Sequence, residues 1–252
     1  MVMNKSIALW AHPRSMSTSV ERSFRERGDC ACHHEPFMYF HYLVKFGTPY
    51  PGFDPENERP RDLHQIAEML ITKPEGLDHV FFKDMSYYII DHLEALKLFM
   101  EQITSIFLIR DPRFSLASYA HLDPKFSLQE AGLEAQWNHY SWLKKNGIPV
   151  MVIEAETIST NPQNSMMMML DFAGLPFIPE MLSWEEGRIP NDWIQAKAWH
   201  KNSLTSTGFN QLTNRDPDTV FEKAQQALPH LDEYLKHHQP YYEKLKSAAI
   251  KI

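Results

Sequence analysis

Short apolar runs alternate with longer amphipathic stretches from one end of the sequence to the other. Residues 5–11, 79–83 (His-Val-Phe-Phe-Lys), 103–109 and 149–153 (Pro-Val-Met-Val-Ile) are brief, rich in β-branched and aromatic residues, and read as buried strands, with a weaker strand at 29–33. Between them, helical spacing of apolar positions predicts helices over 17–27, 36–46, 62–73, 86–101, 112–120, 127–146, 162–173 and 217–246, the last interrupted near Pro229 and Pro240. Strands this apolar, each followed by a helix, predict an α/β fold in which a parallel central sheet is flanked by helices on both faces. Gly47–Pro60, Leu122–Ser127 and Ile189–Asn214 carry the Pro, Asn, Ser and Thr content of loops. Loops of that length over strand ends form lids or substrate walls.

Composition narrows this picture. The chain has 252 residues, 43% of them apolar, which suits a single domain over 1–252. Its formal charge of −7 argues against a nucleic-acid partner or a polyanionic acceptor, so any anion recognition is local. Cys30 and Cys32 stand too close in sequence for an easy bridge, which points to free thiols and a reducing, cytoplasmic compartment. No window approaches the roughly 20 apolar residues that span a bilayer, and a soluble, unanchored protein is expected. Oligomeric state is not legible, because an exposed apolar stripe cannot be told from a core-facing one.

The chemistry is concentrated in two segments. The first strand runs into His12-Pro13-Arg14-Ser15-Met16-Ser17-Thr18-Ser19, and Ile106–Ile109 runs into Arg110-Asp111-Pro112-Arg113, with Ser118 eight residues beyond Arg110. Each is a strand ending in an Arg- and hydroxyl-bearing turn that opens a helix, an arrangement that aims free N–H groups and a positive dipole end at an anion. In parallel sheets, ligands sit at the carboxyl ends of strands, where both segments fall. A ligand with two separated phosphate groups satisfies both. A Walker A loop is the rival, but it requires Gly-x4-Gly-Lys-Ser/Thr, and this loop has neither Gly nor Lys.

With Pro-Arg-Ser-Met-Ser-Thr and Arg-Asp-Pro-x5-Ser in this order, the chain resembles the sulfotransferases that use 3′-phosphoadenosine 5′-phosphosulfate (PAPS), over most of its length. The resemblance implies their P-loop-like architecture, with Arg14, Ser15, Met16, Ser17, Thr18 and Ser19 around the 5′-phosphosulfate, and Arg110 with Ser118 on the 3′-phosphate. Met16 stands where that family has Gly. If the Gly serves a backbone angle that a side chain adopts only at a cost, the loop takes a different path here. Trp199-His200-Lys201 through Ser206-Thr207-Gly208 matches a loop that closes over the 3′-phosphate in that family. The product nucleotide would be the 3′,5′-bisphosphate, PAP.

Sulfonate transfer needs a base for the acceptor and cations for the departing phosphate. Many cytosolic members place a His two residues after a Lys at a strand end; here Lys83-Asp84-Met85 puts Met at that position. His33-His34-Glu35-Pro36-Phe37 instead resembles the setting in which other members use a Glu, making Glu35 the candidate base, with Arg14 and Lys83 as charge stabilisers. His33 and His34 are held in reserve as base or pocket residues. Glu35 also reads as a helix N-terminal acid, and Lys83 as a simple partner of Asp84. Cys30, Cys32, His33, His34 and His41 invite a metal reading, but alternate strand residues face opposite ways, and no metal is expected. A small hydroxyl-bearing acceptor is expected, walled by residues 47–60, 122–135 and 185–214. The competing readings are an ATP- and Mg²⁺-dependent kinase, or a sulfotransferase-like nucleotide-binding protein without activity, motivated by Met16 and Met85.

Overall fold

The structure is a computed structural model that describes residues 6–47, 59–193, 197–209 and 216–252. Among these residues five strands form one sheet: β1 Ser6–Ala11, β2 Cys30–His34, β3 His79–Met85, β4 Ile103–Ile109 and β5 Val150–Glu154. Their order is β2-β3-β1-β4-β5 and every pairing is parallel. The expected α/β architecture is the observed one, and strand bounds agree with the apolar runs to within two residues.

Among the described residues, ten α-helices surround the sheet: α1 Ser17–Arg25, α2 Leu63–Ile71, α3 Lys97–Glu101, α4 Pro112–Leu122, α5 Leu133–Lys145, α6 Ala155–Thr160, α7 Pro162–Ala173, α8 Lys201–Leu204, α9 Pro217–Ala227 and α10 Leu231–Ser247. Strand alternation divides the core. Ile7 and Leu9 face Val20 and Phe24 of α1 and Met166, Met169 and Leu170 of α7. Ala8 and Trp10 face the opposite layer, with Ile66 and Leu70 of α2, Leu143 of α5 and Leu245 of α10. Met166 and Met169 of the methionine run thus contribute core, whereas Met167 is exposed.

Four predicted helices differ in detail. Over 86–101, only α3 is α-helical; Ser86–Tyr88 and Ile90–His92 are 3-10 turns. Tyr87, Tyr88, Ile89 and Leu93 are all buried, and aromatic and β-branched residues of modest helix propensity yield to that packing. The 36–46 helix is a π-helical turn over Phe40–Lys45, closed by Phe46 N–H donating to the His41 carbonyl. Gly132, at φ 83°, separates a 3-10 turn from α5 within 127–146, and Pro229 divides α9 from α10, whereas Pro240 is tolerated inside α10. Residues 48–58, 194–196 and 210–215 of the proposed loops lie outside the described residues.

Local signals set several helix starts. Asp62 caps α2 by accepting from the backbone N–H groups of His64 and Gln65 at 3.0 and 3.1 Å. Replacing it (Asp62→Ala) is expected to remove about 1 kcal/mol of stability, read from chemical denaturation, because those donors lose their partner. An unchanged midpoint would show that solvent satisfies the helix end equally well. Asp111 does the same for α4, accepting from Arg113 N–H at 2.9 Å, with Pro112 in the first turn.

Candidate active site

The strand order aligns four sequence segments along one edge. Glu35 follows β2, Lys83 lies near the end of β3, the Pro13–Ser19 loop follows β1, and Arg110 follows β4. Because β1 is paired with both β3 and β4, the loop sits between Lys83 and Arg110.

Arg14, Arg110 and Ser118 come together across about a hundred residues of sequence. Arg14 Nε donates to Ser118 Oγ at 3.0 Å, and Arg110 Nη1 donates to the Arg14 carbonyl at 2.9 Å. The spacing of Arg110 and Ser118 achieves this because the arginine leaves the strand end while the serine lies two turns along α4. Asp111 makes no ion-pair contact with Arg110, its carboxylate being occupied by a two-pronged contact with Arg113. Among the described residues, neither Arg14 nor Arg110 has a carboxylate ion-pair partner. Burial and the neighbouring Arg110 charge push the Arg14 pKa down to about 10. Two guanidiniums held side by side with no carboxylate in ion-pair contact form a site that an anion stabilises, while Glu156 and Asp111 act on Arg110 only from a distance.

The loop itself is shaped for the same purpose. His12 is fully buried and accepts the Arg110 N–H on Nε2 at 3.1 Å; burial and Arg110 depress its pKa to about 3, so it serves as a neutral strut. Arg110 Nε and Ser15 Oγ are buried and have no hydrogen-bond partner. Ser17 and Thr18 open α1, presenting first-turn N–H groups that no intrahelical carbonyl can accept. These donors fit a phosphate or sulfonate. Met16 adopts φ 72°, ψ 12° itself, so the loop needs no different path at this position. Arg14, Met16 and Glu35 are the positive-φ non-glycine residues of the described structure, each carrying a cost of about 1–2 kcal/mol, and all three lie here.

A second cluster stands on the β2–β3 side. Glu35 Oε1 is salt-bridged to Lys83 Nζ, and Tyr88 OH donates to Glu35 Oε2 at 3.0 Å. The Glu35 N–H donates to the Lys83 carbonyl at 2.9 Å, so backbone and side chain both tie the turn to β3. Burial pushes the Glu35 carboxyl up, but Lys83 and His34, with the hydrogen bonds from Lys83 and Tyr88, outweigh it and hold the group below the usual carboxylate range. Lys83 is 1% exposed and pairs with Glu35 rather than with Asp84. Asp84 points to the other face of β3, where it accepts from the backbone N–H of Phe37 at 2.8 Å and of Met85 at 2.9 Å. The alternative reading of Lys83 as a simple partner of Asp84 is therefore overturned. Burial and the Glu35 charge raise the Asp84 pKa well above its ordinary value.

The late segment reaches the loop through residues other than its Ser-Thr-Gly turn. Trp199 offers its carbonyl to Arg14 Nη1 at 2.8 Å, and His200 Nδ1 lies 3.4 Å from Thr18 Oγ1. Ser206 Oγ accepts from Trp184 Nε1 and donates to the Ser203 carbonyl, the Thr207 carbonyl accepts from Trp184 N–H, and Gly208 forms a bridge with Ser183. Gly208 is close-packed, because a Cβ there would approach the Leu182 carbonyl to 2.9 Å. The Lys201 side chain lies outside the described residues. Arg22, donating to the carbonyls of Arg188 and Glu185, fastens this segment to α1.

With that arrangement in view, the sulfotransferase-domain family profile matches residues 5–249. The chain belongs to the sulfotransferase domain family. Its fold is shared with the sulfotransferase domain of the curacin biosynthetic pathway (TM-score 0.55, 13% identity, covering 89% of this chain and 98% of that one). It is shared also with the sulfotransferase domain of the Synechococcus PCC 7002 olefin synthase (TM-score 0.53, 15% identity, 88% and 94%) and with a sulfotransferase from Alicyclobacillus acidocaldarius (TM-score 0.51, 15% identity, 79% and 92%). Branched-chain-amino-acid aminotransferase-like proteins 2 and 1 of Arabidopsis thaliana are each 29% identical, over 97% and 96% of this chain. The chain spans less than half the length of these two curated relatives.

Within this sulfotransferase domain, one buried carboxylate escaped notice in the sequence. Glu21, on α1 and 0% exposed, accepts from His34 Nδ1 at 2.6 Å, from Arg25 Nε and Nη2 at 3.0 and 2.6 Å, and from Trp193 Nε1 at 2.8 Å. Its only sequence mark is the i, i+4 spacing to Arg25, which reads as an ordinary surface pair. Among the described residues, no three His, Cys, Asp or Glu side chains are grouped to hold a metal, and no helix is long and apolar enough to cross a membrane. Cys30 and Cys32 are free, and burial pushes the Cys30 thiol up to about 12.

Proposed function

We propose that this protein transfers a sulfonate from PAPS to a hydroxyl of a small acceptor, releasing PAP. The observation that carries the proposal is the meeting of Arg14, Arg110 and Ser118 beside the α1 N-terminus, on the same sheet edge as the Lys83–Glu35 pair. Bound PAPS supplies a sulfonate already activated by its link to phosphate. In this reading Arg110 and Ser118 hold the 3′-phosphate. Arg14 bridges that clamp to the loop, and Ser15, Met16, Ser17, Thr18 and Ser19 surround the 5′ end with backbone and hydroxyl donors. Glu35 takes the acceptor's proton, and Lys83 both orients Glu35 and brings positive charge to the reacting centre. The segment from Trp199 through Gly208 forms a wall over the nucleotide, with Trp199 and His200 making the contacts to the loop.

Tyr88, Tyr42 and His41 pack near Glu35, with Tyr42 and Tyr88 ring centroids 5.8 Å apart and His41 and Tyr88 4.9 Å apart, which favours an acceptor with an apolar body. The sheet and its two helical layers act as one domain, and the free thiols suit a reducing cytoplasm.

The decisive experiment is a thermal-shift comparison of PAP with ATP–Mg²⁺. PAP is expected to raise the melting temperature, by about 2.7 kcal/mol of linkage at a hundredfold excess over Kd, and ATP–Mg²⁺ is not. Metal-dependent stabilisation by ATP alone would establish the kinase reading in its place. PAP binding with no PAPS turnover across a broad acceptor screen would identify a nucleotide-binding protein without catalysis.

A further inference from the structure

Glu35 carries an unresolved chemical difficulty. A carboxylate held ionised by Lys83 and Tyr88 is a weak resting place for an acceptor's proton, because protonation leaves the buried Lys83 without its counter-charge. A group able to take the proton onward would restore the ion pair.

His34 occupies the position such a group needs. As the last residue of β2 it would ordinarily face away from its neighbour, but the Glu35 backbone turns to φ 46° and brings the two side chains to the same side. His34 Nε2 lies 3.7 Å from Glu35 Oε1. Its other nitrogen, Nδ1, is 2.6 Å from Glu21 Oε2. Glu21 is ionised: burial alone would raise its pKa, and the Arg25 and Lys83 charges with the hydrogen bond from His34 overcome this and hold it well below the usual range. An ionised carboxylate only accepts, so the proton between them belongs to Nδ1, and Nε2 is the nitrogen left to exchange a proton.

The surroundings maintain that assignment. From α1 come Glu21 and Arg25, the latter also paired with Asp192 at 2.6 Å. From β3 comes Lys83, and from the late segment come Trp193, whose ring centroid is 5.8 Å from that of His34, and His200, at 4.7 Å. His200 adds no charge, since burial above all, with the neighbouring Lys83, pushes it down to about 2. The imidazole thus has an acid on each nitrogen.

We propose that Glu21 and His34 form a proton relay behind Glu35, with Glu21 fixing the proton on Nδ1 and Nε2 receiving the proton that Glu35 takes from the acceptor. This rests on the reading of Glu35 as the base. In the relay step the Glu35 O–H bond breaks and a bond from that hydrogen to His34 Nε2 forms. Glu35 returns to the carboxylate that pairs with Lys83, and the imidazolium keeps its Nδ1 proton on Glu21. The imidazolium then loses its Nε2 proton to solvent. Glu21 and His34 are positioning residues, oriented in the way a third group orients a base.

The test is His34→Asn, whose side-chain N–H replaces Nδ1–H toward Glu21 but which has no basic nitrogen. PAP release from PAPS is measured with water and with 2-naphthol as surrogate acceptor, over a range of pH, beside Glu35→Gln. The relay predicts a fall in kcat of about 10- to 100-fold with the KM for PAPS unchanged. Full kcat in His34→Asn with a disabled Glu35→Gln would overturn the relay and leave the base reading intact. Full turnover in both would overturn the base reading itself. A readout free of turnover is ¹⁵N-histidine NMR of the unsubstituted protein, the His34 signals being assigned by their loss in His34→Asn. The neutral imidazole should carry its proton on Nδ1, and a neutral form carrying its proton on Nε2 would overturn the relay whether or not the surrogate acceptors react.

Discussion

Glu35→Gln is expected to lower turnover about 10²- to 10⁴-fold, the range for losing a positioned general base, while PAP binding is kept. The amide is nearly the same shape as the carboxylate and can still accept from Tyr88, but it cannot take a proton from a hydroxyl. Lys83 loses its counter-charge in this variant, and because it is 1% exposed the melting temperature should fall as well. Calorimetric titration with PAP below that melting temperature separates chemistry from unfolding. The nucleotide's phosphate groups are assigned to Arg14, Arg110, Ser118 and the loop, none of which touches Glu35 within the hydrogen bonds described, so its affinity should hold. Near-normal turnover in Glu35→Gln would transfer the base role to His34 or His33.

Arg110→Ala should weaken PAP binding by roughly 10- to 150-fold, equivalent to about 1.5–3 kcal/mol for charge-assisted hydrogen bonds. Arg110 has no carboxylate partner among the described residues, its Nε is buried without an acceptor, and its Nη1 already holds the carbonyl of Arg14 in place. Truncation therefore removes a ligand for the 3′-phosphate and loosens the Arg14 backbone, where φ is 64°. An adenosine nucleotide lacking the 3′-phosphate should lose much less affinity, which distinguishes a phosphate contact from general damage to the loop. Equal affinities of the unsubstituted protein and Arg110→Ala for PAP, by calorimetry, would remove Arg110 from the clamp.

Much of the site was legible because its signals are local. A strand, an Arg-bearing turn and a helix start are adjacent in sequence, and the eight-residue interval from Arg110 to Ser118 is a helical distance. Glu35 and Lys83 were legible as candidates only through the resemblance of their settings to those of the sulfotransferase family. Lys83's partner was not, because the choice between Asp84 and Glu35 depends on which face of β3 each side chain takes and on the turn after β2. Glu21 was invisible for a stronger reason: it acts on His34, thirteen residues away, through the packing of α1 against the sheet, and no sequence interval encodes that contact.

Alternating apolar runs and turn chemistry were enough to establish the strands, the parallel sheet and the two Arg-bearing strand-to-helix turns, since backbone geometry and burial constrain a short segment almost regardless of its distant neighbours. Strand order lay beyond such local rules. Placing β1 between β3 and β4 put Arg14 against Arg110, and placing β3 beside β2 put Lys83 against Glu35. Those are contacts between segments far apart in sequence, whose energy depends on three-dimensional complementarity. The same is true of the positive backbone angle at Met16: a residue that resists that angle in isolation adopts it where the surrounding loop and helix over-determine it.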